Sequence, residues 1–453
     1  MKVLQKKKFA CLGIAFMLLL ALEAIAQSPH GFRGPTRNGI YPESGLLKTW
    51  PSDGPQLLWE TMDVGKGYSS TVIVGDHIYL TGMNEEENKE IFLAYTLDGK
   101  KVYEVEYGTP WKDSYPETRT TPTIEAGKAY VISGSGEIVC LDITNGDLVW
   151  KVDGGTIFER VTGNWGTSEC PLVFDGKVIY TPSGDQTTMV ALNAQTGETV
   201  WKSEALGETG AYVSPVLITY KGKRQIIGST GTSVIGVNPE TGKIEWKFSD
   251  WGRPPRPPRQ ANAQGDPPPG GGQRRQDPPR QEGPQRPASS IAPNTPLYED
   301  GRIFYCQGYD AGSFMLQLAD DLQSVSLLWR NNDMDTHHGH FVLVDGIIYG
   351  SNWINNTSGN WVAVDWNTGE TKYEETWSGG SSKGSIISAD GMLYCYDERR
   401  GAVGMVRPTT EKFDVVSQFR ITKGEGPHWA HPVIDKGVLY IRHGSALMAY
   451  KIH

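Results

Sequence analysis

Histidine is concentrated in two short segments of this chain of 453 residues. DTHHGHF contains His337, His338 and His340, and PHWAHP contains His428 and His431, so five of the nine histidines lie in these segments. If residues 338 and 340 occupy a strand, their side chains project to the same side and that of His337 to the other. Imidazoles that converge from two loops could bind zinc, copper or iron. His338, His340, His428 and His431 are therefore the candidate metal ligands.

The same histidines have a structural interpretation, in which they hydrogen-bond neighbouring loops and hold sheet edges together. No recognised metal-binding motif surrounds them. The sequence also lacks the Gly-x-Ser-x-Gly, His-Glu-x-x-His, phosphate-loop and Cys-x-x-Cys motifs. No catalytic residue is assigned from the sequence.

A repeated pattern must position these segments. The phrases CLDITNGDLVW, ALNAQTGETVW and GVNPETGKIEW end at Trp150, Trp201 and Trp246, and the weaker AVDWNTGETKY ends at Tyr373. Each combines a strand, a turn whose Gly accepts a positive φ, and a second strand that ends in an aromatic residue. A hairpin phrase such as CPLVFDGKVIYTP accompanies it. One unit therefore holds four antiparallel strands in about 40 to 50 residues.

Such units predict an all-β fold, an eight-bladed β-propeller of four-stranded antiparallel blades. The unit starts lie near Tyr68, Arg119, Gly166, Tyr212, Asn294, His338, Lys383 and Trp429. The last unit stops at ALMAYKIH without a fourth strand, and PQLLWETMD, with Trp59 at the aromatic position, supplies the missing one. We therefore expect one propeller over residues 57–453, closed by this N-terminal strand and preceded by an extension over residues 27–56.

The loops that lead into the innermost strands of a propeller bring side chains to the mouth of its central channel. In this sequence these leading loops contain the histidines above together with the candidate ligand-binding residues Arg119, Trp165, Glu169, Asn294, Lys383 and Trp429. Neutral imidazole suits a metal ion, whereas Lys and Arg suit a carboxylate or sulfate. Lys383 argues against a metal ion unless it contacts an anionic ligand. We expect any site to lie in the funnel that these loops enclose.

The repeats that end in Trp150, Trp201 and Trp246 resemble the Asp-x-x-Thr-Gly-x-x-x-Trp motif of the pyrroloquinoline-quinone (PQQ) type propeller repeat family. Blades one, five and seven depart from the motif. Within that family, FRGPTRNG, YCYDERRG and WAHPVIDKGVLYIRHG look most like the exported propellers described as outer-membrane-assembly-factor-like. The resemblance implies the propeller fold, but a fold does not fix an activity.

The resemblance also raises the question of a quinone cofactor. Quinoprotein alcohol dehydrogenases hold PQQ between a Trp floor and a disulfide of adjacent cysteines, with calcium and a catalytic Asp. This sequence has no Cys-Cys pair, and the calcium ligands and the Asp find no matching positions. Trp165, Glu169 and Arg119 could mimic part of such a site. We expect no cofactor, and the alternatives are PQQ with calcium or a bound transition metal.

Two segments lie outside the repeats. Residues 1–26 have a Lys-rich start, an apolar stretch and AIA before Gln27, which is typical of a cleavable signal peptide without a lipid-anchor cysteine. Residues 251–290, rich in Pro, Arg, Gln and Gly, fall between blades four and five and are expected to be a disordered insertion. The remaining cysteines, Cys140, Cys170, Cys306 and Cys395, are interpreted as buried small hydrophobic residues.

These observations favour an exported binding or scaffold protein of the cell envelope without turnover, which presents its funnel and blade surfaces to a protein or glycan. We expect a periplasmic or secreted monomer with no membrane span after signal cleavage. The net charge of −9 argues against a nucleic-acid partner. The alternative is a quinone- or metal-dependent oxidoreductase with its site in the central funnel.

Overall fold

The computed structural model describes residues 29–86, 88–250, 292–380 and 383–453. The predicted signal peptide and the predicted disordered insertion lie outside the described residues. The described chain forms an eight-bladed β-propeller, so the predicted all-β fold is confirmed. No helix of the described ranges is long and apolar enough to cross a membrane.

Each blade has four antiparallel strands, and the N-terminal segment supplies the fourth strand of blade eight and one added strand in the sheet of blade seven. The N-terminal strands are β1 (Ile40–Tyr41) and β2 (Gln56–Thr61). Blades one to four contain β3 (Val72–Val74), β4 (His77–Asn84), β5 (Lys89–Thr96), β6 (Lys101–Gly108); β7 (Thr123–Glu125), β8 (Lys128–Ile132), β9 (Glu137–Asp142), β10 (Leu148–Asp153); β11 (Leu172–Phe174), β12 (Lys177–Tyr180), β13 (Val190–Asn193), β14 (Thr199–Lys202); and β15 (Val216–Tyr220), β16 (Lys223–Ser229), β17 (Val234–Val237), β18 (Ile244–Phe248). A four-residue helix, α1 (Gly154–Ile157), follows β10.

Blades five to eight repeat the plan. Their strands are β19 (Leu297–Glu299), β20 (Arg302–Gln307), β21 (Gly312–Leu318), β22 (Val325–Asn331); β23 (Phe341–Val344), β24 (Ile347–Ser351), β25 (Trp361–Asp365), β26 (Thr371–Glu375); β27 (Gly384–Ala389), β28 (Met392–Asp397), β29 (Ala402–Arg407), β30 (Asp414–Arg420); and β31 (Val433–Asp435), β32 (Val438–His443), β33 (Ala446–Lys451). The first strands of neighbouring blades contact each other, as β3 does with β7, β7 with β11 and β23 with β27. These strands therefore surround the central axis.

The ring closes as the sequence predicts. Strand β2 pairs antiparallel with β33, and Trp59 lies opposite Ala449. The sheet order of blade eight is β2-β33-β32-β31, so the N-terminal strand supplies its outermost position. Closure gives a partner to two strand edges that would otherwise be open.

Tryptophans in the outer strands of four blades each join their blade to the next. Indole N–H groups donate across the blade boundary from Trp59 to Leu97 O (2.7 Å), Trp150 to Ala194 O (2.9 Å), Trp201 to Pro239 O (3.1 Å) and Trp329 to Trp366 O (3.2 Å). The same ring covers the turn glycine of the next blade. Gly197, for example, has a φ of +74°, and a Cβ there would lie 2.8 Å from the ring of Trp150. This contact explains why the sequence phrase recurs from blade to blade.

The N-terminal extension has a structure that the sequence analysis missed. The backbone of His30 exchanges two hydrogen bonds with that of Ile124 in blade two. Ten residues later, β1 pairs parallel with β27, the innermost strand of blade seven. Residues 29–41 therefore cross the axis from one side of the ring to the other, and we call them the axial strap.

Two buried arginines fix the axial strap. Arg37 donates to Cys170 O (3.0 Å), Pro215 O (3.2 Å), Thr123 Oγ1 (3.1 Å) and Pro171 O, which belong to blades two, three and four. Arg33 donates to Ile386 O (3.1 Å) and Phe341 O (2.5 Å) on the opposite side. Both residues have left-handed backbone φ values, +65° for Arg33 and +57° for Arg37. Residues other than Gly rarely adopt this backbone conformation. Their hydrogen bonds hold that conformation in place.

We predict that Arg37→Met lowers the free energy of unfolding by about 3 kcal/mol, because it removes charge-assisted hydrogen bonds and leaves buried carbonyl oxygens without donors. Urea denaturation followed by tryptophan fluorescence measures the change. Arg407→Met on the exposed surface is the matched control, with an expected change within about 0.5 kcal/mol. Equal stability of the two variants would show that the strap does not hold the ring.

Candidate functional site

A cavity of about 330 Å³ lies on the axis where the leading loops meet, and we use the name funnel for it. Its floor includes Phe32 of the axial strap. Its walls are mainly aromatic: Tyr68, Tyr115, Trp165, Tyr212, Tyr309 and Trp429. These residues come from most blades, because the loops that lead into the innermost strands all lie at the same end of the propeller.

The aromatic wall is a connected set of rings. Trp429 lies between Tyr68 and Tyr115, with ring centroids 4.9 and 5.2 Å apart. Trp165 contacts Tyr212 on the far side, at 5.8 Å. These rings are tilted against each other, so the funnel presents both ring faces and edges to a ligand.

Four polar side chains meet at one side of the funnel. The Nζ of Lys383 lies 2.5 Å from Oε1 of Glu398. The second carboxylate oxygen, Oε2, lies 3.2 Å from Nε2 of His338. One ligand atom each of His337, His338 and Glu398 can be chosen so that all three lie within 4.8 Å of one another. The ring of Trp429 lies 5.0 Å from that of His338. The structure thus brings together three residues that the sequence predicted for the site, Lys383, His338 and Trp429.

Burial sets the charge of this group. Burial, together with the nearby charge of Lys383, lowers the pKa of His337 to about 3. Burial also holds the pKa of His338 well below its ordinary value. For Glu398, burial raises the pKa and the charge of Lys383 opposes that rise. The imidazoles are therefore neutral at pH 7 and carry free lone pairs.

His340 and His431 lie deeper, against the axial strap. Phe32 contacts both rings at 5.2 Å. Nε2 of His431 lies 3.1 Å from His338 O, and its Nδ1 lies 3.2 Å from Nη1 of Arg33. Since Arg33 can only donate, His431 accepts at Nδ1 and donates at Nε2. Both ring nitrogens of His431 are therefore engaged, Nε2 with the backbone carbonyl of His338 and Nδ1 with Arg33.

His428 belongs to a different place, the boundary between blades seven and eight. Its Nδ1 lies 2.5 Å from the hydroxyl of Tyr396, and its ring stacks on His443 at 3.6 Å. The ring also covers Gly401, where a Cβ would lie 2.4 Å from it. His428 is thus not among the funnel-lining residues, whereas His338, His340 and His431 are. That these four histidines bind a metal ion stays a prediction.

Of the other predicted residues, some line the funnel and others form hydrogen bonds that hold nearby segments in place. Arg119 and Trp165 line the funnel. Asn294 is buried and donates to Thr336 O (2.8 Å) and His337 O (3.2 Å), so it holds the leading loop of blade six. Glu169 accepts from the backbone N–H (3.0 Å) and the hydroxyl (3.1 Å) of Thr181 within its own blade. Ser168 and Cys170, its sequence neighbours, line the funnel instead.

The sequence analysis did not include His337 or Glu398 among the candidate site residues. It expected the side chain of His337 to project away from those of His338 and His340, as in a strand, but residues 337–340 are not part of a strand. Strand β23 begins at Phe341, and His340 has a φ of +56°. Glu398 follows the second strand of blade seven, and Gly384 lies opposite Asp397 in that hairpin. The register therefore puts residue 398 beside Lys383, whose carbonyl accepts from the N–H of Glu398 at 3.1 Å. The hairpin pattern in the sequence was the signal that could have found it.

The comparisons with known proteins agree with the fold. A family model described as "Outer membrane protein assembly factor BamB" matches residues 87–256. The dehydrogenase subunit of the quinone-type alcohol dehydrogenase of Gluconacetobacter polyoxogenes is 26% identical over 161 residues, which are 31% of this chain and 21% of that protein. The chain spans less than a third of the curated relatives that it matches.

Solved structures give the same two groups. BamB from Moraxella catarrhalis superposes with a TM-score of 0.58 at 13% identity, covering 88% of this chain and 97% of that chain. The quinohemoprotein alcohol dehydrogenase from Comamonas testosteroni gives 0.64 at 12% identity, covering 95% and 82%. The resemblance to PQQ-type propeller repeats is confirmed, and at these identities the structural likeness concerns the fold alone.

Two buried acids predict how stability depends on pH. Burial raises the pKa of Glu90 and of Glu169 to about 8, above their ordinary value of 4.5. The folded protein therefore keeps protons that the unfolded chain releases, so the stabilisation is complete below pH 4.5 and is lost as the pH rises through about 8. We predict that the free energy of unfolding falls between pH 7 and pH 8, by up to about 1.4 kcal/mol per pH unit for each acid. Below pH 6.5 the buried histidines oppose this slope, because their lowered pKa values mean that only the unfolded chain protonates them.

Urea denaturation at several pH values measures this slope. A Glu90→Gln, Glu169→Gln double variant, which mimics the protonated acids, should flatten it, whereas Glu411→Gln on the exposed surface should leave it unchanged. An equal slope in the double variant would assign the pH dependence to other groups.

Proposed function

We propose that this PQQ-type propeller is a ligand-binding protein of the cell envelope whose working site is the funnel. The ligand that fits is a small ring-shaped molecule that carries one carboxylate. The observation that supports this most directly is an aromatic-walled cavity with one cationic side chain, Arg119, among its described lining residues.

Arg119 has a donor to spare. Its Nη2 donates to Ser114 O (2.7 Å) and Tyr115 O, which fixes the guanidinium plane. Its buried Nη1 has no hydrogen-bond partner in the described part of the chain. Buried polar atoms in native proteins nearly always have a partner, so an unpaired guanidinium nitrogen at a cavity favours an anionic ligand.

The aromatic wall suits the rest of such a ligand. Rings bury apolar area on the faces of Trp and Tyr, and offset or edge contacts add further stabilisation. The cavity volume is at the lower end of the range for small-molecule sites, about 300 to 1,000 Å³. Aromatic carboxylates and sugar acids share this chemistry, and the binding experiment below distinguishes them.

PQQ itself fits this funnel poorly. It carries three carboxylates, whereas Arg119 is the single Lys or Arg among the described lining residues. Lys383, which is not a lining residue, is already paired with Glu398. The four cysteines of the described chain are buried and free, so they form no disulfide that could cover a quinone. We therefore propose binding without quinone chemistry, for a protein that acts as a monomer after export and can also present its blade surfaces to a protein or glycan partner.

We predict that tryptophan fluorescence titration detects binding of 4-hydroxybenzoate or of glucuronate, and that the better ligand identifies the class. Arg119→Gln should weaken carboxylate binding about 10- to 100-fold, because it removes one charge-assisted hydrogen bond. The uncharged 4-hydroxybenzamide should bind both proteins alike, and Arg302→Gln in blade five is the matched control. Unchanged carboxylate affinity in Arg119→Gln would contradict the proposed anion contact.

A dye-coupled dehydrogenase assay tests the rival function. The wild-type protein, supplied with PQQ and calcium, is offered a panel of alcohols and sugars. We expect no turnover above that of a heat-denatured sample. Robust turnover would replace the binding function by an oxidoreductase.

Export has its own test. If residues 1–26 are a cleaved signal peptide, the protein recovered from the periplasmic fraction or the medium should begin at Gln27. N-terminal sequencing of that protein measures this directly. Recovery of the uncleaved chain in the cytoplasm would contradict an envelope location.

A further inference from the structure

We propose that His337, His338 and Glu398 form a binding site for one divalent transition-metal ion at the side of the funnel, with a further coordination position open to the cavity. This proposal is independent of the organic ligand proposed above, because the metal ion alone can test it.

The geometry is close to that of a metal site. In a tetrahedral zinc site with bonds of about 2.0 to 2.1 Å, neighbouring ligand atoms lie about 3.3 Å apart. Nε2 of His338 and Oε2 of Glu398 are already 3.2 Å apart. The chosen atom of His337 completes a triangle in which every separation is at most 4.8 Å. Metal binding would draw the ligand atom of His337 closer to the other two.

Two of the ligand atoms also lack a hydrogen-bond partner. Nε2 of His338 and Oε2 of Glu398 are buried and unpaired within the described ranges, since their 3.2 Å separation does not have hydrogen-bond geometry. Nδ1 of His337, one of the two nitrogens by which that ring could bind a metal ion, is buried and unpaired as well. Glu398 as a whole is 6% exposed. Leaving such atoms unpaired costs free energy. A cation bound by one atom of each of these three residues would give a partner to Nε2 of His338 and Oε2 of Glu398.

The surroundings orient these ligands. Lys383 holds Oε1 of Glu398, which leaves Oε2 for the metal ion, and its Nζ also donates to Asn355 O at 3.1 Å. His431 and His340 each place a ring nitrogen 3.1 Å from the carbonyl oxygen of His338. Partners of this kind around a ligand set fix the direction of its lone pairs.

The ligand types indicate which ion is bound. Two neutral imidazoles and one carboxylate suit zinc or ferrous iron, whereas an all-oxygen set would suit calcium or magnesium. Three protein ligands leave at least one position for water or for an anion in the funnel. The charge of Lys383 offsets that of Glu398, so a bound dication would favour an anionic fourth ligand.

Isothermal titration of the chelator-treated mature protein with Zn²⁺ tests the site. We expect one ion per chain, with a dissociation constant below about 10 μM. A His337→Ala, His338→Ala double variant should lose at least about 100-fold in affinity, more than the loss of an outer-sphere contact. It keeps the Lys383–Glu398 pair, and thermal unfolding checks that it folds. His77→Ala in blade one is the matched control and should bind as the wild type does.

A second variant separates a metal site from a purely structural ion pair. Lys383→Met removes the cation that orients Glu398, but it also removes the repulsion between that cation and a bound dication. Because the repulsion is the larger effect at this short distance, Zn²⁺ should bind about tenfold more tightly and raise the melting temperature more than in the wild type. A structural ion pair alone predicts a destabilised variant that Zn²⁺ does not rescue. That result, absence of stoichiometric binding to the wild type, or undiminished affinity in the double histidine variant would each overturn the proposal.

Discussion

The innermost strand of every propeller blade has one edge that faces the axis without a neighbouring strand, and the groups on that edge need hydrogen-bond partners. In this protein the axial strap supplies many of them. β1 pairs with the inner edge of blade seven, and the guanidinium of Arg37 satisfies carbonyl groups where blades two, three and four converge. Guanidinium suits this task because its planar fork carries five donors and no acceptor. The side chains of Arg33 and Arg37 thus link opposite halves of the ring.

The same strap determines the shape of the funnel. Phe32 forms part of its floor, and Arg33 accounts for the orientation of His431. His431 in turn holds the carbonyl of His338, the residue whose imidazole approaches Glu398. A continuous series of contacts therefore runs from the N-terminal segment to the polar group at the side of the funnel. The site depends on a segment that belongs to no blade.

The sequence predicted the blades and their closure because each is encoded locally. Trp59 and Trp150 recur at the same place in their repeats, and a turn glycine in the next blade receives the ring. The axial strap has no such periodicity, since its place depends on single arginines that contact residues far away in sequence. The sequence predicted only part of the candidate site, because only part of it is encoded locally. Leading loops could be aligned, but the direction of His337 and the position of Glu398 depend on a bend and on hairpin register, which loop composition does not contain.

Closure by β2 and β33 has a consequence for how the chain reaches its native state. Trp59 lies opposite Ala449, so the pairing joins segments separated by nearly the whole propeller. Contacts between such distant segments are slow to form, because the entropy of closing a long loop is lost before the contact stabilises the chain. Blade eight is thus the last blade that can be completed, whichever blade forms first. Until then the nascent chain exposes two unpaired strand edges, which makes this interval the one most open to aggregation and the one in which a chaperone would matter most.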